Sequence, residues 1–416
     1  MASSKRRVVI TGAGCVTPVG NDLPSTWAAL LAGKSGGGVI TKFDPAPFKV
    51  RFACEVKGFD VTQYMDKKEA KRSDVYTQYA MAAAVQAMAD AKLGSGTFDP
   101  LRTGVVIGSG IGGMATFEEQ VEIYLKTGPN RISPFFIPMF IGDIAAGVVS
   151  MRFGAKGPNY ATQSACATSA HAIGDAFRML AYGDADIMIA GGSEAAVAPM
   201  AIGGFGNMQA LSTRNESPET ASRPFDQTRD GFVLGEGAGV VILEELQHAK
   251  KRGAHIYCEI VGYGATGDAY HLTGQPEDHE GLQRAMRRAL EDGGLETSEI
   301  QYINAHGTST PLNDPNEIRA IKKVFGAHAT GINVSSTKSA TGHMLGAAGA
   351  VEAIFSAMAI ETGIIPPTIN LTTPDPECDL DCTANTPVKR EVHAVLSNSS
   401  GFGGHNVSIA LRRLTD

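Results

Sequence analysis

The sequence has 416 residues, 43% hydrophobic and 19% charged, with 36 Lys and Arg against 43 Asp and Glu for a formal net charge of −7. That balance predicts an ordinary globular enzyme with ample core, and it excludes nucleic-acid binding, because no basic stripe or interleaving of aromatic and basic residues is present. The six cysteines (Cys15, Cys54, Cys166, Cys258, Cys378, Cys382) are too few for a disulfide scaffold at this length, and Cys378-x-x-x-Cys382 has no second ligand pair, so no metal site and a reducing, cytoplasmic setting are expected.

At the start of the chain, Lys5-Arg6-Arg7 precedes the short apolar run VVITGAG (8–14), which ends in glycine and is read as a strand, neither a signal peptide nor a membrane span. A helical pattern follows at 76–91, then glycine-terminated β-branched runs at 103–110 and 186–194. Continuous apolar strands of this kind belong to sheets covered on both faces.

Between those strands lies SACATSAHAIGDA (164–176), one cysteine among small residues where an extended stretch passes into a helix. Unpaired N–H groups and the dipole of a helix start would lower the Cys166 thiol pKa, and the same N–H groups could hold an oxyanion. The segment also fits a buried structural cysteine.

In HAKKRGAH (248–255) a charged helix end meets glycine before a new strand, and we place the division there, giving halves 1–253 and 254–416. The second half repeats the theme with strands at 256–264, 300–308, 332–338 and 393–401. NYATQSACATSAHAIGDAFRML is echoed by INVSSTKSATGHMLGAAGAVEAIFSAM, each a strand, a polar turn and a small-residue helix. The fold class is therefore α/β with two similar halves packed into one body.

NAHGTSTPLND (304–314) puts His306 just past a strand end, where α/β proteins place their sites, although a satisfied polar histidine also fits. Asp314-Pro315-Asn316-Glu317 reads as helix initiation with a capping box rather than as catalytic carboxylates. Lys338 interrupts a Ser/Thr/Gly turn in STKSATGHMLGAAG, His343 follows it, and Glu352 falls in an apolar helix and must have a buried partner. Near the end, SNSSGFGGHN (397–406) frames Phe402 with glycines in a turn able to flex.

Taken in order, RRVVITGAGCVTPVGN, SGIGGM, ISPFFIPM, ACATSAHAIG, SRPFDQTRDGFVLGEGAG, NAHGTSTP, SSTKSATGHMLGAAGAVEA and SNSSGFGG resemble the β-ketoacyl-acyl carrier protein synthases over nearly the whole chain, most of all the type II long-chain elongating form. The resemblance implies a thiolase-like, five-layered αβαβα sandwich, usually a homodimer, that condenses malonyl-acyl carrier protein with an acyl chain held on Cys166 and elongates a fatty acid by two carbons. It implies Cys166, His306, His343 and Lys338 as catalytic residues, supported by Glu352. The N–H groups of Cys166 and Phe402 would form the oxyanion hole. Thr308 and Thr310 would contact the phosphopantetheine arm, Ile111 would line the acyl tunnel, and Phe402 would gate it.

Phe135 and Phe136 would lie near the dimer contact, closing the tunnel across subunits. The family needs no metal or redox cofactor, but a monovalent cation near Asn304, Glu352, Ser397 and Asn398 is implied. Acyl carrier protein is the implied partner, without nucleic acid or membrane. One departure stands out: the turn commonly carries two phenylalanines, and Ser400 occupies the first position here, which bears on how the loop packs when closed.

Competing readings are a thiolase, for which the C-terminal turn lacks the second cysteine, and a dinucleotide-binding oxidoreductase, for which TGAGCVTPVG lacks the G-x-G-x-x-G spacing. A polyketide-type ketosynthase and a catalytically silent chain-length subunit remain as alternatives. The silent subunit loses the nucleophile, whereas Cys166 is present.

Overall fold

The computed structural model describes residues 5–94 and 96–415. The β-branched runs form the strands β1 (Val8–Val16), β2 (Thr103–Gly108), β3 (Asn159–Tyr160), β4 (Ile187–Glu194) and β5 (Gly237–Glu245), then β6 (Cys258–Gly267), β7 (Tyr302–Asn304), β8 (Asn333–Ser335), β9 (Ala394–Gly401) and β10 (His405–Arg412). Hydrogen bonding orders them β8-β7-β9-β10-β6-β1-β5-β4-β2-β3.

The two sets of five are copies of one pattern. In the first, β1 runs antiparallel to β5, β5 antiparallel to β4, and β4, β2 and β3 are mutually parallel. In the second, β6, β10, β9, β7 and β8 repeat those directions. Val8–Ile10 pairs with Cys258–Ile260, so the ladder continues from one set into the other.

The seven longest helices among the described residues are α1 (Val75–Asp90), α2 (Met114–Thr127), α3 (Ile144–Phe153), α4 (Thr168–Tyr182), α5 (Glu280–Gly293), α6 (Asn313–Phe325) and α7 (Ala348–Thr362). Helix α1 covers the outer face of β1, β5 and β4, with α3 beside it; α5 covers β6, β10 and β9, with α6 beyond. Helices α4 and α7 pack on each other and on both strand sets. The result is the expected five-layered αβαβα arrangement.

Its largest core cluster joins Ile10, Val241, Ile173, Ile354, Phe355 and Ile409, residues from both strand sets and both central helices. A helix walled in on all sides must be apolar all round. Leu345–Thr362 is accordingly long and apolar enough to cross a membrane, yet it is this central helix with its lead-in turn, buried between strands.

Small residues set the layer spacing. A Cβ on Gly14 would lie 2.2 Å from the Ala83 carbonyl of α1, and one on Gly264 would lie 2.0 Å from the Ala285 carbonyl of α5. The same close approach recurs in both halves, which is why β1 and β6 carry glycine where a strand ordinarily prefers a branched side chain.

The predicted strands at 8–14, 103–110, 186–194, 256–264 and 393–401 all form. Those predicted at 300–308 and 332–338 shorten to three residues each, because the chain leaves the sheet after Asn304 and Ser335 to carry His306 and Lys338 inward. Strands β5 and β10 were not anticipated; Ser408 interrupts the apolar run of β10, whereas β5 carries the unbroken run Val240–Leu243 after a glycine-rich stretch.

Candidate active site

Cys166 sits in the 3-10 turn Ala165–Ala167 that leads into α4, and the turn enters through Ala165 at φ 50°. Ser164 braces the turn: its N–H donates to Thr168 Oγ1 (2.9 Å), and its hydroxyl pairs with His171 Nδ1 (2.7 Å). The glycine turn after β9 presses on this segment, since a Cβ at Gly401 would fall 2.6 Å from the Ser164 carbonyl and 3.1 Å from the Cys166 nitrogen. Both the Cys166 and the Phe402 backbone N–H groups address the sulfur.

The thiol does not behave as its position suggested. Burial pushes it up to about 12, while the charge of Lys338 and the two N–H groups pull the other way. Desolvation of a thiolate in an apolar pocket outweighs a few partial charges at a helix start.

His306 follows β7, held by Glu317: the His306 N–H donates to Oε1 (2.9 Å) and the Gly307 N–H to Oε2 (2.8 Å). His343 is held through its backbone, its N–H donating to the Val233 carbonyl (2.7 Å) and its carbonyl accepting from Gly235 (2.9 Å). The two rings stand 5.3 Å apart between centroids and 84° to each other. Burial first, then the charge of Lys338, holds both imidazoles well below the ordinary histidine range, so both are neutral with one N–H each. Neither Nδ1 has a hydrogen-bond partner among the described residues.

Lys338 is buried and paired with Glu352, itself buried in α7. Burial pushes the Glu352 carboxyl upward against the pull of that ammonium.

A cleft of about 750 Å³ brings together Cys166, His306, His343, Thr308, Thr310, Ile111 and Phe402. The Thr308 and Thr310 hydroxyls are 3.0 Å apart at its mouth side. Ile111 belongs to the apolar cluster that contains Cys166 and Leu345. Lys338 and Glu352 stand behind this wall rather than in it. Phe135 and Phe136 do not line the cleft: Phe136 packs with Phe117 and Phe140, and Phe135 carries Arg72 4.4 Å above its ring. Ser400 lines the cleft and donates to Asn406 Oδ1 at 2.9 Å.

Asn304 and Ser397 face each other in register on β7 and β9. Among the described residues Asn304 Oδ1 and Nδ2 and Glu352 Oε2 are each buried without a hydrogen-bond partner. Asn398 is otherwise engaged, accepting from Ser408 (2.9 Å) and donating to Glu317 (3.3 Å).

Three carboxylates matter more than the sequence indicated. Helix α6 begins at Asn313, and neither Asp314 nor Glu317 builds a capping box there. Glu317 holds the His306 turn instead, and Asp314 accepts from Ser309 (3.2 Å) and Phe225 (2.9 Å). Glu194, at the end of β4, accepts from Ser109 Oγ, Gly110 N and Gly346 N (2.9 Å each) and from Ile111 N (3.2 Å), clamping the Ile111 wall to the second half.

A family model described as the β-ketoacyl synthase N-terminal domain matches residues 5–249, and one for the C-terminal domain matches residues 257–372. The chain is 52% identical over 411 residues to 3-oxoacyl-[acyl-carrier-protein] synthase 2 of Staphylococcus aureus (strain COL), covering 99% of each. Against the protein of the same name from Coxiella burnetii it is 53% identical, covering 99% of this chain and 100% of that one. Among solved structures, a type II PKS ketosynthase bound to its acyl-carrier protein superposes with a TM-score of 0.92 at 38% identity, covering 99% of this chain and 100% of that one. A β-ketoacyl synthase from Burkholderia phymatum gives 0.91 at 36% identity with the same coverage.

Proposed function

From the premise that the chain belongs to the β-ketoacyl synthase family, a family of condensing acyltransferases, we propose that it is a 3-oxoacyl-[acyl-carrier-protein] synthase that elongates fatty acyl chains by two carbons. The reading divides the chain into an N-terminal half, 1–253, carrying the nucleophile and a C-terminal half, 254–416, carrying both histidines and Lys338. The observation that carries it is the convergence of Cys166, His306 and His343 on one cleft, with two N–H groups aimed at the sulfur.

In the first stage the Cys166 sulfur attacks the thioester carbonyl of acyl-acyl carrier protein. A carbon–sulfur bond forms to Cys166, the bond to the phosphopantetheine sulfur breaks, and the thiol proton leaves on the carrier. The Cys166 and Phe402 N–H groups hold the oxyanion; removing one such donor costs on the order of 100- to 1000-fold in rate. Thr308 and Thr310 hold the carrier arm, and the acyl chain passes Phe402 to lie against Ile111.

In the second stage malonyl-acyl carrier protein loses CO₂, and the electron pair of the broken bond passes into an enolate. The N–H groups of the two neutral imidazoles stabilise its oxygen. The enolate carbon attacks acyl-Cys166, the carbon–sulfur bond breaks, and the sulfur takes up one proton. Lys338, fixed by Glu352, sets the field around the three reacting groups. A monovalent cation would be held by Asn304 and Glu352, beside Ser397 and Asn398, and would order this polar layer.

We read the protein as a cytoplasmic homodimer. The support is the terminal strand β3, half-exposed at Tyr160, together with the exposed apolar residues Val121, Tyr124, Leu125 and Ile137 around the Phe117–Phe136–Phe140 cluster. A second copy added across that edge would extend the sheet and cover the apolar face.

The test is incubation with acyl carrier proteins of varied acyl length plus malonyl-acyl carrier protein, with products weighed by mass spectrometry. A single two-carbon extension supports the reading. Repeated extension supports the polyketide alternative, and absence of acyl-Cys166 in the unmodified protein supports the silent subunit.

A further inference from the structure

Residues 268–279 form a strap from the end of β6 to the start of α5, and Asp268, His271, Thr273, Gly274 and Gln275 of it line the mouth of the cleft. The strap meets the Phe402 turn directly: Asp268 N–H donates to the Gly404 carbonyl (2.9 Å), and Gly403 N–H donates to the Leu272 carbonyl (2.7 Å).

Both ends of the strap are gripped by one side chain. Asn406 donates through Nδ2 to Asp268 Oδ1 (2.6 Å), and its Oδ1 stands 3.0 Å from His279 Nε2. Because Nδ2 is committed to a carboxylate, Oδ1 must accept, which fixes His279 as the tautomer protonated on Nε2. The same Oδ1 accepts from Ser400 (2.9 Å), so two donors, 3.4 Å apart, share one acceptor. Ser400 and Asn406 are cross-strand partners at the root of the Phe402 turn.

His279 is an unexpected residue for this place. Its backbone is left-handed at φ 47°, its side chain is fully buried, and its Nδ1 has no partner among the described residues. A non-glycine residue held in such a conformation with an unmet acceptor needs a compensating use. Ser400 explains the room: with a short side chain in the first position of the turn, the imidazole reaches the hairpin.

We propose that His279 is a positioning residue that, through Asn406 and Ser400, latches the strap 268–279 to the Phe402 turn so that strap and gate open together when an acyl chain enters. This rests on Phe402 being the gate of the proposed reaction. The latch is directional: the Nε2–H and the serine hydroxyl each contribute a hydrogen bond to the asparagine oxygen that holds the turn shut.

The test uses the full chain and reads gate opening by the rate of Cys166 alkylation with iodoacetamide, followed by intact mass, beside single-turnover acyl transfer and condensation. His279→Gly keeps the backbone conformation and removes the latch, and alkylation is expected to rise roughly tenfold with acyl transfer retained and the acyl-Cys166 lifetime shortened. Ser400→Ala, which threatens the fold least, is expected to raise alkylation about threefold, and His279→Gln, which keeps a donor, to return toward the unmodified rate. Alkylation unchanged in both His279→Gly and Ser400→Ala overturns the latch, as does a His279→Gln variant indistinguishable from His279→Gly. Failure of the functional reading is separate: it appears as no acyl-Cys166 in the unmodified protein, whatever the alkylation rates.

Discussion

Replacing Lys338 with methionine removes an ammonium that is 1% exposed and leaves Glu352, 3% exposed, without its counter-ion. Breaking one side of a buried pair costs about 3–5 kcal/mol when the remaining charge must stay ionised. The carboxyl escapes by protonation: burial already raises its folded pKa, and losing Lys338 raises it further. A group whose folded pKa lies above its unfolded value loses stability as pH rises through the folded value. The penalty in Lys338→Met should therefore be small near pH 5 and approach its full size near pH 8 or above.

Urea unfolding at both pH values measures this, and Lys338→Met/Glu352→Gln should recover most of the stability. Condensation should stay lost in the double variant, because Lys338 also acts on Cys166, His306 and His343 through its charge. A pH-independent loss of stability, or a double variant no more stable than the single one, would refute the electrostatic account of the pair.

Gly401→Ala forces a Cβ to 2.6 Å from the Ser164 carbonyl, so the backbone there must shift, the Phe402 N–H should leave the sulfur, and single-turnover acylation should fall on the order of 100-fold together with a lowered melting temperature. Glu317→Ala strands the His306 and Gly307 N–H groups; about 2–5 kcal/mol of stability should be lost in denaturant titration, and decarboxylation should fall more than acylation, because only the former uses the imidazole. With the thiol pushed up to about 12, iodoacetamide labelling of Cys166 in the free enzyme should climb with pH from 7 to 10 without levelling; a plateau below pH 8 would contradict that assignment.

Cys166 could be singled out as a candidate because a lone cysteine among alanines, serines and glycine before a helix is a local pattern, and the α/β layering followed from continuous apolar runs ending in glycine between helical ones. What was illegible depends on partners far along the chain. Glu317 follows a proline in a pattern shared by helix caps, and only the fold reveals that its oxygens meet the His306 turn. Glu194 gathers donors from two distant segments, and nothing beside it in sequence announces them.

The direction of the thiol shift was missed for a related reason: a helix start can be seen in sequence, but the desolvation that overrides it cannot. His279, inside the polar run PEDHEG, carried no expectation and is fully buried. Ser400 alone pointed toward it, as a short side chain where a large one is usual.

The doubled architecture has a lopsided outcome. The turn and helix that present Cys166 are repeated as Leu345–Ala347 and α7, entered through Leu345 at φ 45°, and the residue matching Cys166 is Gly346. A Cβ there would strike the Gly110 nitrogen at 2.4 Å, and its own N–H is already given to Glu194. The twin of the Cys166 turn is thus sterically sealed and serves as a buttress for the wall opposite it, so of the two matching turns only the one at Cys166 offers the cleft a thiol.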